Sequence, residues 1–566
     1  MSQRVLLMSS ARNGLTQRAE LALRGHGHGH QVHTAVVADA AAMDAAVAAH
    51  EFDVVICPFL TTAIPPGIYE HHRVVIIHPG PVGDRGPASL DWALTEGRTR
   101  WGVTAIGAVA EMDAGPVWAW RTVTVEYPQR KSTLYNTAVA DAAIECILET
   151  AARAEDPDFV PIDQDRAPRP VPDARTRPPM RQHDRQVAWT VPAATILARV
   201  HTADGAPGLR TTLADHTVHL YDAHPGRIGV DAEPGTIIGR RHHLIEIACG
   251  TGETIWIGHL RARLEDGPTC KGPAASVLAH IGVDLGAVPV RAESGCRDID
   301  YRRDGAIGTL TVDAYNGALT TEQCDRLAAA LHTAAAQDTD VLVLRGAGSH
   351  FFLTGIHLGA IELAPDPAAE GWANIKAINR VCKALLACPQ ITIAAITGNA
   401  GAGGVALPLA ADIVAARRRV TLTPAYKPMG LTGSELHTVT LPHRVGAQTA
   451  RALLESGDAL DTATARDIGL IDHVGPDSGE FDGWLDGLAR RYTDPQSRGD
   501  ALRRKAARLA ALTKPIDAYE VAELTEMAED FFTDRGEFRR HRQEFLRVGA
   551  ASPASHLGRP LARNSH

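Results

Sequence analysis

One stretch divides this chain more firmly than any other. Residues 156–185 read DPDFVPIDQDRAPRPVPDARTRPPMRQHDR, dense in proline, arginine and aspartate. Proline fixes φ and removes a backbone donor, so neither a regular helix nor a central strand runs through such a segment. The chain must fold as separate parts on either side of it. With 566 residues there is room for about three or four domains of ~100–200 residues.

The part before the divide reads as α/β. Apolar runs at Val5–Met8, Val32–Val37, Val54–Cys57 and Val74–Ile77 predict short buried strands, with helices at Thr16–Leu23 and Ala40–Ala49 between them. Strands alternating with helices imply a Rossmann-like, mostly parallel sheet, which binds ligands beyond the carboxyl ends of its strands. After the divide, Trp189–Leu264 carries short apolar runs and turns such as HPGR and EPGT, predicting a small β-rich, OB-like domain. Glu265–Cys296 is loose, with a short helix near Ser276–Ile281. A second α/β pattern starts near Asp298, with strands at 306–313 and Val341–Leu344 and helices at Thr321–Gln337 and Asn374–Leu386. The tail, Gly499–Arg547, is helical and charged. The expected boundaries are a first domain at 1–160, a linker at 161–188, a β domain at 189–270, a linker at 271–297, a third domain at 298–512 and a helical extension at 513–566.

Composition excludes several functions. A net charge of −9 leaves no global nucleic-acid footprint. No apolar run reaches the ~18–20 residues of a membrane span, and MSQRVLLMSSARNG is no signal peptide, so we expect a cytoplasmic protein with neither membrane nor nucleic-acid partner. The eight cysteines form no CxxC pair, which argues against a thiolate metal site. RGHGHGH (24–30) lacks flanking acidic or cysteine ligands and reads as a loop. No metal is expected.

Two constellations carry chemistry. In VIIHPGPVGDRGPASLDWAL (75–94) a strand ends at His78 and runs into a Pro/Gly turn with Asp84 and Arg85, which either bind substrate or form a surface pair. WGVTAIGAVAEMDAGPVWAW then brings Asp113 to a neighbouring turn. A histidine held by an aspartate can protonate a leaving amine, as acyl transfer from nitrogen requires. Arg130 is a further candidate for substrate contact. In GNAGAGGVALPLAADI (398–413), Gly401, Gly403 and Gly404 let a ligand approach the backbone at a helix start. A second backbone N–H near Gly355–Ile356, in SHFFLTGIHL, is placed to converge with it into an oxyanion hole. The run lacks the GK[ST] ending of a nucleotide P-loop.

DVVICPFLTTAIP, IIHPGPVGDRGP and WGVTAIGAVAEMDAGPVW resemble, in order and spacing, the formyl-tetrahydrofolate-dependent formyltransferases. The resemblance places His78 and Asp113 on that family's histidine and aspartate, and Ile76 where it has an asparagine. Losing one such oxyanion donor costs roughly 10²–10³ in rate. Ser9, Ser10 and Asn13, in the first strand-to-helix turn, are the candidates to replace it. The 189–264 region resembles the C-terminal domain of methionyl-tRNA formyltransferase. SHFFLTGIHL, GNAGAGGVAL and TPAYKPMGLTGSELHTVTLPHRVGA resemble the enoyl-CoA hydratase/isomerase (crotonase) family. Its two oxyanion donors fall on Ile356 and Gly403, and its two glutamates on Ala406 and Tyr426; Glu435 is the nearest spare carboxylate. Hydration needs both carboxylates, so an ordinary hydratase is not expected.

The whole arrangement resembles the HypX/HoxX hydrogenase-maturation family. That resemblance implies formyl transfer from 10-formyl-tetrahydrofolate to coenzyme A, then decarbonylation of formyl-CoA, for which Tyr426 and Glu435 are the candidate acid/base pair on the residue reading. The CO released would serve a [NiFe]-hydrogenase, with its large subunit or maturation chaperones as partners. Two alternatives stay open: a formyltransferase with another acceptor fused to an acyl-CoA isomerase, and a non-catalytic maturation scaffold.

Overall fold

A computed structural model of the chain describes residues 3–25, 29–264, 267–291, 296–348 and 350–551. His26–His28 of the histidine tract, Ser349, parts of the loose 265–296 stretch and the tail beyond 551 lie outside the described residues. The described residues group into two compact units: one holds residues 1–212 and 219–223, the other 213–218 and 224–550. The division runs through the strand-rich region expected at 189–270.

The first unit is built on six strands: β1 (Arg4–Ser9), β2 (Gln31–Val36), β3 (Val54–Cys57), β4 (Val74–His78), β5 (Arg100–Gly107) and β6 (Val117–Thr124), in the order β2-β1-β3-β4-β5-β6. The strands from β2 to β4 run parallel. β5 and β6 are antiparallel to their neighbours, so the expected mostly parallel sheet is a mixed one. The reason is local. The chain leaving β4 returns through 79–99 without crossing the sheet, and the short 108–116 loop closes a hairpin, which antiparallel strands alone allow. Both faces of the sheet are covered. Val5, Leu7, Val54 and Ile56 enter one apolar cluster, and Leu6, Met8, Val55 and Cys57 the other. That two-sided burial is why β1 and β3 read as unbroken apolar runs.

The proline-rich segment expected as a linker is packed onto this unit. Ile162 bridges Val117 and Thr176 bridges Arg85. Trp92 Nε1 donates to the Pro178 carbonyl at 2.8 Å. Proline bars the segment from the sheet interior, but extended chain can still lie along an edge or loop.

In the second unit, Ile237–Arg241, Leu244–Ala248 and Glu253–Leu264 form an antiparallel meander. Helix Ala274–His280 follows it, close to expectation. A six-stranded sheet runs Ile299–Asp304, Ile307–Val312, Val341–Gly346, Ile391–Ile396, Ile413–Arg417 and His473–Gly475 in that order. Its first pair is antiparallel and the rest parallel. Helices Thr321–Ala335 and Pro367–Ala387 cover one face, the second extending the expected helix toward its N-terminus by two turns. The tail helices Pro495–Ala510 and Ile516–Ala528 belong to this unit; Ala501 enters a core cluster, as does Met527. Among the described residues no helix is long and apolar enough to cross a membrane.

The tail is tied to the body by a backbone crossing. A Cβ on Gly430 would lie 1.9 Å from the Gly536 carbonyl oxygen, and Gly430 has φ +71°. Gly430→Ala should therefore cost at least ~2 kcal/mol of stability, from overpacking and strain together. Urea unfolding of the variant against the parent chain checks this.

Candidate functional site

Two sites emerge, one in each unit. In the first, β4 delivers His78 to the carboxyl end of the sheet, where the ring sits between two carboxylates. His78 Nε2 is 3.0 Å from Asp84 Oδ2, and Nδ1 is 3.5 Å from Asp113 Oδ2. The ring is 5% exposed, so bulk water does not compete for either nitrogen. Asp113 adopts φ +55°, a conformation that costs a non-glycine residue about 1–2 kcal/mol. Its loop is pinned: Gly86 N donates to Asp113 Oδ2 at 3.0 Å, and Gln164 Nε2 donates to the Asp113 and Gly115 carbonyls at 2.7 and 2.9 Å. Gly80 is required, since a Cβ there would lie 2.3 Å from His78 Nε2.

Ile76 stands two residues before His78, on the same sheet face, and packs against the apolar cluster of Leu6, Met8, Val55 and Cys57. The three candidates to replace an asparagine there all make hydrogen bonds within the first loops of the unit. Ser9 Oγ donates to Ala11 O at 2.9 Å and pairs with Thr16 Oγ1 at 2.8 Å. Ser10 Oγ accepts from Thr61 N, and Asn13 Oδ1 caps helix Gly14–Arg24 through Thr16 N, both at 2.9 Å. All three shape the first loop. Arg85 forms a 2.6 Å ion pair with Glu111, and Arg130 pairs with Asp222 at 2.6 Å.

The residue sequence reading missed is Arg177. It comes from the proline-rich segment, is 5% exposed, and joins Asp84 Oδ1 (2.9 Å) to Glu96 Oε2 (2.8 Å). The hydrogen bond from Arg177 holds Glu96 down to about 2. In sequence Arg177 is one of several arginines in a solvated-looking run, and nothing marks it.

In the second unit Gly355, Gly403, Tyr426 and Glu435 lie together. Strand Gly355–Ile356 passes so close to the glycine run that a Cβ on Gly404 would lie 1.8 Å from Leu353 O, and one on Gly355 3.4 Å from Gly403 N. Gly401 N donates to Leu353 O at 3.2 Å, which locks the two segments together. A Cβ on Gly403 would lie 2.2 Å from Glu435 Oε1, so the carboxyl group rests on the Gly403 backbone. Tyr426 OH donates to Glu435 Oε2 at 2.8 Å. Burial pushes Glu435 up to about 7, against the lowering effect of the Tyr426 hydrogen bond. Tyr426 is raised well above its ordinary value, first by burial and then by the facing carboxyl, and stays a phenol. Ala406 is 5% exposed and lies in the apolar cluster. Such a site sets a glycine backbone beside a carboxyl group poised near neutrality.

The enoyl-CoA hydratase/isomerase family model matches residues 303–523, and the formyl transferase C-terminal domain model residues 179–274. The chain is similar to hydrogenase maturation factor HoxX of Bradyrhizobium diazoefficiens, 37% identical over 94% of this chain and 92% of that one. It is similar to a crystal structure of HypX from Aquifex aeolicus in complex with tetrahydrofolic acid, with TM-score 0.87, 32% identity, and 97% and 96% of the two chains covered. A variant of the same HypX gives TM-score 0.88 and 33% identity over 97% of each chain.

Arg177→Met should leave Asp84 buried without its arginine partner and destabilise the first unit by roughly 3 kcal/mol at neutral pH. The Glu96 contribution has a definite sign. Its folded value is lowered, so its stabilisation is full above the ordinary 4.5 and is lost as pH falls toward about 2. Denaturant melts at a series of pH values should show the gap between parent and variant narrowing over that window.

Proposed function

The chain belongs to the HoxX/HypX family of hydrogenase maturation factors, and from that footing we propose that it makes carbon monoxide from 10-formyl-tetrahydrofolate in two steps. In the first, the formyl carbon leaves the folate nitrogen and bonds to the coenzyme A sulfur. The thiol proton moves to the departing amine, and His78, held by Asp113 and Asp84, is the group that carries it. In the second, the formyl C–H proton passes to the Glu435 carboxylate while the C–S bond breaks. Carbon keeps the C–H electron pair and leaves as CO; sulfur takes the C–S pair and leaves as thiolate, then regains a proton. Formyl-CoA goes to CO and coenzyme A with no oxidant or reductant. Backbone donors at Ile356 and Gly403 hold the carbonyl oxygen. The CO is destined for the iron of a [NiFe]-hydrogenase, so the large subunit or its chaperones are the receiving partners.

The observation that carries this reading is the Tyr426–Glu435 pair lying on Gly403. Formyl-CoA has no α-carbon, so enolate chemistry has no substrate here, and the apolar Ala406 is consistent with its loss. What remains is one carboxyl group near neutral and one phenol, an acid/base pair of modest strength.

Purified protein given labelled formyl-folate and coenzyme A should release CO, trapped by a haem protein, in amounts that require both substrates. Formyl transfer to another acceptor without CO would favour the transferase–isomerase alternative, and no turnover the scaffold. Glu435→Gln and Tyr426→Phe should each lower CO release by ~10²-fold or more; full output from either overturns the assignment. In the wild type, CO release should rise with pH through about 7, as the carboxyl ionises. Stability runs the other way. The folded value is raised above the ordinary 4.5, so the stabilisation is full below 4.5 and lost as pH climbs through about 7. Glu435→Gln should thus melt higher relative to wild type at pH ~8 than at pH ~5.

A further inference from the structure

Glu435 and Leu436 both lie in the left-handed region, with φ +61° and +58°. Two consecutive non-glycine residues in that region persist only where their surroundings fix them. The hydrogen bonds identify what does so. Glu435 N donates to Asn379 Oδ1 at 2.9 Å, and Asn379 Nδ2 donates to Ser434 Oγ at 2.9 Å. Four further donors of the turn go to one carboxylate. Glu523 Oε2 accepts from Leu436 N at 3.0 Å and from Ser434 Oγ at 3.1 Å; Oε1 accepts from Thr438 N at 2.8 Å and Thr438 Oγ1 at 2.6 Å.

Glu523 is 3% exposed and sits on the tail helix Ile516–Ala528. Met527 and Asp530, four and seven residues on, share its face. Met527 Sδ accepts from Gly433 N at 3.2 Å, and Asp530 Oδ2 accepts from Thr432 N and Oγ1, both at 2.7 Å. A single helix face therefore holds the 432–438 turn from Thr432 to Thr438.

We propose that Glu523 is the positioning residue of the second site: its carboxylate, bound by four donors of the turn, sets the left-handed conformation that lays Glu435 on Gly403 and against Tyr426. This rests on the reading of Glu435 as the acid/base group. It also adds a charge to the site. Besides Tyr426, the ionisable groups facing Glu435 are Glu523 and the buried thiols of Cys324 and Cys382, with His437 3.5 Å from Glu523. Glu523 is a cause, after burial, of the upward displacement of Glu435.

The test is Glu523→Gln in the full chain, with two readouts. In protein carrying carboxyl-labelled glutamate, a carbon-13 titration follows Glu435, assigned by its absence from Glu435→Gln. Its midpoint should fall by about one pH unit in the variant. CO release should fall at least ~10-fold at unchanged KM for coenzyme A, while formyl transfer keeps its rate. An unmoved midpoint with full CO release overturns the proposal. So does a proportional loss of both activities with a lowered Tm and an unmoved midpoint, the mark of a merely structural residue. A moved midpoint in a protein whose wild type makes no CO upholds the positioning role and rejects the decarbonylation reading. Should Glu523→Gln fail to fold, Thr438→Val removes one of the four donors. It should lower CO release roughly three- to tenfold, and an unchanged rate overturns the proposal.

Discussion

A carboxyl group buried beside a glycine backbone constrains the second unit more than any other contact. Moving a lone carboxylate out of water costs several kcal/mol, so it either neutralises or gathers donors. Glu435 does part of each. Burial holds its proton to about 7, and Tyr426 and Ser434 N supply donors to Oε2 at 2.8 and 3.2 Å. The rest follows from keeping it there. Gly403 must lack a side chain, Gly433 must lack one where a Cβ would meet the Tyr426 ring at 2.4 Å, and the turn must run left-handed through two ordinary residues.

The first unit meets the same difficulty by the opposite route. Asp84 is 2% exposed and is buried in company: His78 on one oxygen, Arg177 on the other, and Glu96 behind the arginine. A chain of alternating charges, each hydrogen-bonded, satisfies the buried lone pairs that an isolated ion would leave bare. One site fixes a proton near neutral by exclusion of water, the other fixes an imidazole between anions. Acyl transfer from nitrogen and removal of a formyl proton ask for those two different environments.

Much of this was legible in the sequence, for physical reasons that also mark its limits. β1 and β3 announced themselves because a sheet covered on both faces has no polar alternation. His78 and Asp113 stood out because strand-end turns with Pro and Gly are local. Glu435 and Tyr426 stood out only as departures from a family pattern. Arg177 and Glu523 were illegible. Each lies in a segment rich in like residues, and its partners are 81 to 93 and 85 to 89 positions away. Burial of one charge among many exposed ones leaves no periodicity. Ser9, Ser10 and Asn13 also serve the turn that carries them: a strand-to-helix turn has its own backbone donors and acceptors to satisfy, and small polar side chains take part in that. The antiparallel β5 and β6 escaped because strand direction depends on the path of the connection.

The missing second carboxylate follows from proton counting. Adding water to a double bond takes a proton from oxygen and gives one to carbon at separate points, which suits two groups of opposite duty. Under the proposed reaction, one proton leaves the formyl carbon and one joins the thiolate, so a single carboxyl that accepts and then donates completes the cycle. Such a group works best when its proton is bound about half the time at neutral pH, and Glu435 at about 7 meets that condition. A second carboxylate in a helix at position 406 would have no proton to handle. It would sit in the cluster formed by Val405, Leu407 and Leu409, where an unpaired charge is costly. Alanine there is what the chemistry leaves once that duty is gone.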